Sequence, residues 1–179
     1  LAAFLAFPAC KPQPPATLKP STPPSTAPPQ STQSSTTSPP WFEDITVTAK
    51  LQFLHNSGAQ GRFHMFEHIG SGAALFDFDN DQRLDIYLIQ NGGPQSNSRN
   101  QLFHQESDGT FRNVSTGSGL DVAGYGMGVA IGDVNNDGWR DVLVTEYGAI
   151  RLFLNQTNGT FLDVSLAAGL STPRWAKSS

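Results

Sequence analysis

From Gly72 onward the apolar residues come in short runs or alternate with polar ones, and Asp-Gly or Asn-Gly pairs punctuate them. Alternation with a period of two, bounded by such pairs, specifies strands joined by tight hairpin turns. The wider helical spacing is sustained nowhere. Within the stretch of about 124–170, strands are expected near 128–132, 141–147, 150–155 and 160–165, with Asn158-Gly159 turning the last pair. The stretch of about 70–120 follows the same plan, with Asp108-Gly109 at the corresponding turn, and both stretches close on Gly-Leu, at Gly119-Leu120 and Gly169-Leu170.

This likeness is a sequence repeat. Ala74 to Leu88 (ALFDFDNDQRLDIYL) aligns without gaps on Ala130 to Val144 (AIGDVNNDGWRDVLV), 56 residues later, and Phe111 to Ser115 (FRNVS) parallels Phe161 to Ser165 (FLDVS). Four short strands in a unit of about 50 residues is the size of a propeller blade. The expected fold is therefore all-β: an incomplete propeller with two full blades of four antiparallel strands. A single sandwich is the structural rival, but it has no need of a duplicated acidic loop. Phe42 to Thr46 (FEDIT) resembles the same closing segment and reads as a lone N-terminal outer strand, of the kind that completes a blade from the other end of a ring. Arg174-Trp175-Ala176 resembles the start of a further blade within 171–179, so the chain is expected to be a piece of a longer propeller.

Composition confines folding to residues 41–179. Ten of the 13 prolines fall between Lys11 and Pro40, together with twelve Ser or Thr and no aromatic residue, which marks 11–40 as a linker unable to bury a core. Residues 1–10 begin with an apolar run, Leu1 to Phe7, too short to span a bilayer, and end in Pro8-Ala9-Cys10. They read as a truncated export signal. Cys10 is the single cysteine, which excludes an internal disulfide, and its setting resembles a bacterial lipoprotein cleavage box. The two readings of Cys10 are a lipid anchor and an unmodified cysteine after an ordinary signal. In the first case the linker is a tether reaching up to about 90 Å, at roughly 3.1 Å per residue.

The net charge of −4, without a stripe of Lys or Arg, argues against nucleic-acid binding. What charge there is concentrates in two loops. Asp77, Asp79, Asp81, Arg83 and Asp85 occupy positions 1, 3, 5, 7 and 9 of the first, and Asp133, Asn135, Asp137, Trp139 and Asp141 occupy the same positions of the second. Oxygen side chains at 1, 3, 5 and 9, with a backbone carbonyl at 7 from Arg83 and Trp139, are the donors that a hard cation such as Ca²⁺ collects. An EF-hand would need Glu at position 12, where Leu88 and Val144 stand, and flanking helices. Residues 77–85 carry a net charge of −3 and residues 133–141 one of −2, a crowding of carboxylates that one Ca²⁺ per loop would nearly neutralise. The loops differ at position 6, Gly138 in the second and Gln82 in the first.

With these residues in view, the repeats resemble those of the FG-GAP or VCBS type, found in integrin α-subunit propellers and bacterial surface proteins. Gly72 to Asp81, Gly124 to Gly128 (GYGMG) and the Asp163 to Leu170 ending (DVSLAAGL) resemble the cartilage acidic protein/ASPIC-UnbV family more closely, over Trp41 to Ser179. That resemblance implies a secreted or surface calcium-binding propeller whose partners are poorly defined. Gln82 departs from the family's usual glycine.

A second signal competes. His64, Glu67 and His68 spell H-x-x-E-H, a zinc-peptidase pattern that needs both histidines one turn apart on a helix. Gly61 and Gly70 bracket it closely, and the expectation is that His55, His64 and His68 line a loop or pocket. Asn113, Asn155 and Asn158 each open an N-x-Ser/Thr sequon but sit where hairpin turns already explain them. The sequence thus points to a non-enzymatic, exported calcium-binding module for a protein or glycan partner, either secreted or lipid-anchored at the cell surface or periplasmic side. Contact with a membrane would be made only through Cys10. The alternative is a metal-dependent hydrolase using His64, Glu67 and His68 in the propeller channel.

Overall fold

A computed structural model describes residues 40–62 and 64–170. The chain divides into two units, Leu1–Trp41 and Phe42–Ser179, and all the described strands lie in the second. The expected export signal, Cys10, nearly all of the expected linker and the expected start of a further blade at 171–179 fall outside the described residues. No helix among the described residues is long and apolar enough to cross a membrane.

The protein is all-β, built from two four-stranded antiparallel sheets as an incomplete propeller. The first sheet contains β1 Ala73–Phe76, β2 Asp85–Leu88, β3 Gln101–Gln105 and β4 Phe111–Asn113. The second contains β5 Gly126–Gly132, β6 Asp141–Glu146, β7 Ala149–Asn155 and β8 Phe161–Asp163. Each sheet runs in sequence order. Phe76 pairs with Asp85 and Gly132 with Asp141, so the repeat alignment is also a register alignment. Ile86 pairs with Phe103 and Val142 with Phe153, which shortens the offset between copies from 56 residues to 50. The difference lies between the second and third strands, where the first blade inserts a long loop and the second only Tyr147-Gly148.

Strand alternation sends successive side chains to opposite faces, and this decides how the blades pack. Tyr87 and Ile89 are fully buried on one face of the first blade, while Ile86 and Leu88 on its other face are half-buried. In the second blade the burial is reversed, since the equivalents of Ile86 and Leu88, Val142 and Val144, are buried and Leu143 is not. The front of one blade therefore meets the back of the next. Phe76, Phe78, Tyr87, Ile89 and Leu102 join Val142, Val144, Phe153 and Phe161 in one core between the two sheets. The Tyr87 hydroxyl is satisfied within that core, donating to the Leu120 carbonyl at 2.8 Å and accepting from Asn100 Nδ2 at 2.9 Å.

A turn follows each outer strand, and the one after β4 locks onto the next blade. In the turn after β4, the Ser118 carbonyl accepts the Phe161 N–H at 2.7 Å. The segment before the first blade does the same, the Ala49 carbonyl accepting the Phe111 N–H at 2.8 Å. The equivalence runs from Phe42 to Leu51, with Lys50 (φ 56°) standing where Gly119 (φ 85°) and Gly169 (φ 72°) stand. The lone outer strand expected at Phe42 to Thr46 has no strand beside it among the described residues, so residues 42–45 are unladdered and exposed and only the turn after them is docked.

The absence of a sustained helical period leaves room for one short turn: α1 Met65–Ile69, with His64 at its N-cap and Gly70 (φ 80°) closing it. Five residues are too few to establish a helical period, and bracketing glycines hide a turn this short.

Candidate metal centre

Each acidic loop connects the first two strands of its blade, and the same hydrogen bonds shape both. In the first loop, Asp77 Oδ1 accepts the Asp81 N–H at 3.0 Å and Asp77 Oδ2 the Gln82 N–H at 2.8 Å. In the second, Asp133 takes the Asp137 and Gly138 N–H groups at 3.1 and 2.9 Å. The Arg83 and Trp139 N–H groups donate to Asp81 and Asp137 at 2.9 and 2.8 Å. Asp85 accepts from the N–H groups of Phe78 (3.1 Å) and Gln105 (2.8 Å), as Asp141 does from those of Val134 and Asn155, both at 2.9 Å. Five bonds thus recur position by position. So does the backbone: Asn80 and Asn136 have φ of 60° and 59°, and Gln82 and Gly138 have 69° and 88°. Gln82 bears a left-handed conformation that costs a side chain about 1–2 kcal/mol.

The first loop is where acidic groups converge. Asp77, Asp79 and Asp85 each place a carboxylate oxygen within 4.8 Å of the others, and so do the ligand atoms of Asp79, Asp81 and His104. These groups could hold a metal ion. Burial pushes the Asp85 carboxyl up to about 6 despite the N–H groups of Gln105 and Phe78; the Asp79 charge adds to the push and His104 opposes it. For Asp81 burial also works upward, but the Arg83 N–H and guanidinium together with His104 outweigh it and hold the carboxyl below its usual range. A buried carboxyl that resists ionisation among three others is a group a cation would relieve. The Arg83 guanidinium pairs with Asp81 Oδ2, and its Nε donates to the Gln105 carbonyl at 2.8 Å. Arg83 is left with its backbone carbonyl as its ligand group.

The second loop keeps the frame with fewer carboxylates. Asn135 stands at position 3 and its Nδ2 donates to Asp137 Oδ2 at 2.7 Å. Among the described residues, no three acidic or histidine groups converge there as in the first loop. Bonds from the Gly138 and Asp137 N–H groups hold the Asp133 carboxyl below its usual range although burial opposes them. Asp133, Asp137 and Trp139 lie at the surface or half-buried, and in the first loop Asp77, Asp79 and Asp81 are half-buried while Phe78 is covered by the second blade. Phe78 stacks near Phe161 at 6.4 Å, and its carbonyl accepts a bond from Asn155.

His104 and Asn155 are the participants that sequence reasoning missed. The signal for His104 lay in the repeat itself, where Leu154 fills the matching position of the second copy. The histidines of the H-x-x-E-H pattern lie elsewhere. His55 Nε2 meets Ser71 Oγ at 2.7 Å and Glu67 Oε1 accepts the Gln60 N–H at 3.4 Å. Neither of these residues, nor His64 or His68, enters a group of three metal-capable side chains among the described residues.

The family model described as "FG-GAP-like repeat" matches residues 77–144 and 133–178, each match beginning at the first aspartate of an acidic loop. Cartilage acidic protein 1 of Xenopus tropicalis is 38% identical over 93 residues, covering 50% of this chain and 14% of that protein. Integrin alpha-3 of Mus musculus is 34% identical over 92 residues, covering 44% of this chain and 9% of its own. Cartilage acidic protein 1 of Homo sapiens is 32% identical over 90 residues, or 49% and 13% of the two chains. The chain thus spans only a small part of the length of the curated relatives it matches.

Proposed function

We propose that this chain, which belongs to the FG-GAP-like repeat family, is an exported interaction module in which one Ca²⁺ in each acidic loop stiffens a propeller blade. The observation that carries the reading is the recurrence of the same five hydrogen bonds around Asp77 to Asp85 and Asp133 to Asp141. Those bonds hold the carboxylates of positions 1, 5 and 9 on the same N–H groups in each loop, a shared frame that suits an external cation. The ligands are the side chains of Asp77, Asp79, Asp81 and Asp85, and of Asp133, Asn135, Asp137 and Asp141, with the carbonyls of Arg83 and Trp139. Calcium here is structural: it fixes the loops at one end of the blades, and a protein or glycan binds the surface so ordered. Likeness to cartilage acidic protein 1 and integrin alpha-3 supports a role outside the cytoplasm, as does the apolar run Leu1 to Phe7 ahead of Cys10. Cys10 is the attachment point if the protein is lipid-anchored.

Thermal unfolding of the full chain in Ca²⁺, Mg²⁺ and EDTA tests this. Saturation at about 100 times the dissociation constant should add roughly 2.7 kcal/mol per site. An unfolding midpoint indifferent to EDTA and to added Ca²⁺ would overturn the reading.

A further inference from the structure

The two loops share a frame but not a donor set, and the difference is concentrated in two positions. Where the second copy has Asn135 and Leu154, the first has Asp79 and His104. In the fold these two residues meet: His104 Nε2 lies 3.0 Å from Asp79 Oδ2 and 3.1 Å from Asp81 Oδ2. We propose that the first acidic loop also takes a borderline transition-metal cation, with Zn²⁺ as its probe, on Asp79, Asp81 and His104, while the second loop is confined to hard, oxygen-seeking cations.

The imidazole is built into place. His104 sits on β3, only 8% exposed, with the Phe78 ring edge-on at 5.9 Å and 80°. On its far side Nδ1 lies 3.5 Å from Glu106 Oε1, and it has no hydrogen-bond partner. Glu106 Oε1, which also accepts from Arg112 Nε at 2.6 Å, lies where a slightly closer approach would let Nδ1–H donate to it and leave Nε2 for metal. Asp79 Oδ1 is likewise buried and accepts no hydrogen bond. Two carboxylate oxygens, from Asp79 and Asp81, thus face one imidazole nitrogen across a gap that a cation could bridge.

Distances agree with a small cation. Ligands at about 2.0–2.2 Å from tetrahedral zinc stand roughly 3.3–3.6 Å apart, and the Nε2 to oxygen separations of 3.0 and 3.1 Å need to open by only a few tenths of an ångström. Imidazole nitrogen favours zinc, nickel and copper over calcium, whereas carboxylate and carbonyl oxygens alone favour calcium and magnesium. Arg83, which pairs with Asp81, is the group a cation displaces; its side chain is 36% exposed, and its Nε bond to the Gln105 carbonyl can persist while the guanidinium end leaves Asp81.

This rests on the reading of the loops as cation sites, and the experiment separates the two. Metal-stripped full chain is equilibrated with Zn²⁺ in a large excess of Ca²⁺ and bound metal is counted, for the native chain, His104→Leu and Asp79→Asn. Both substitutions install what the second blade carries at the same position. The native chain should retain one Zn²⁺ against Ca²⁺. His104→Leu should weaken that site by more than about 100-fold, since loss of a mere outer partner already costs about 10–100-fold, and it should still bind Ca²⁺. Asp79→Asn, nearly isosteric, serves if His104→Leu fails to fold and should also weaken Zn²⁺ binding. Equal Zn²⁺ uptake by the native chain and both variants overturns the proposal, and so does Ca²⁺ binding with no Zn²⁺ retained, which leaves the calcium reading standing. Binding of neither metal overturns both.

Discussion

Asn155 Nδ2 donates to the Phe78 carbonyl at 2.8 Å, so a side chain at the end of β7 in the second blade braces the acidic loop of the first. The same residue's backbone N–H holds Asp141, and its Oδ1 accepts the Thr157 N–H at 2.9 Å. Asn155→Ala should leave the Phe78 carbonyl without its buried donor and destabilise the protein by about 1–3 kcal/mol. Denaturant unfolding would show it, and a change below about 0.5 kcal/mol, the scale of an ordinary surface substitution, would mean the brace is idle.

The same bond decides among the three sequons. Asn155 is 3% exposed and its Nδ2 is engaged, whereas Asn113 and Asn158 are exposed. Glycan attachment replaces a hydrogen on that nitrogen and adds bulk that the core cannot admit. In a glycosylating host, mass spectrometry of the folded protein should find Asn155 unmodified, with any glycan carried at Asn113 or Asn158.

The docking turns offer a graded series. Lys50 holds a φ of 56° where its equivalents are glycines, so Lys50→Gly should raise stability by roughly 0.5–1 kcal/mol, the relief of left-handed strain exceeding the entropy glycine adds to the unfolded chain. Gly119→Ala should do far worse than Gly169→Ala. A Cβ on Gly119 would lie 2.2 Å from the Phe161 carbonyl oxygen, while one on Gly169 meets nothing within 4 Å among the described residues. Melting temperatures of the three variants check the order.

Glu146 sets a pH dependence. Burial raises its pKa above the usual 4.5, with Asp163 adding to the rise and Arg151, 2.9 Å away, opposing it. The folded state therefore holds this proton more tightly than the unfolded one. The contribution is whole below about pH 4.5 and is lost as pH climbs through the folded-state value. Glu146→Gln does not titrate, so its stability relative to the native chain should improve as pH rises from about 4 toward neutrality. A constant difference across that range would contradict the assignment.

Strands, hairpin turns and acidic loops were legible because they are local: alternation, Asp-Gly and Asn-Gly pairs, and aspartates at alternate positions each act within a few residues. The metal-capable aspartates of the first loop were therefore legible together. His104 was not, because it lies 23 residues from Asp81 and meets it only through β-sheet pairing. Asn155 lies 77 residues from Phe78 and reaches it only across the packed blades. The docked turn at 46–51 was hidden by a single residue, Lys50, occupying a position where the other copies show the expected glycine.

The front-to-back meeting of Tyr87 and Ile89 with Val142 and Val144 gives each blade a direction of travel. A further blade docked by this same contact would be rotated from its neighbour in the same sense as these two, about a common axis.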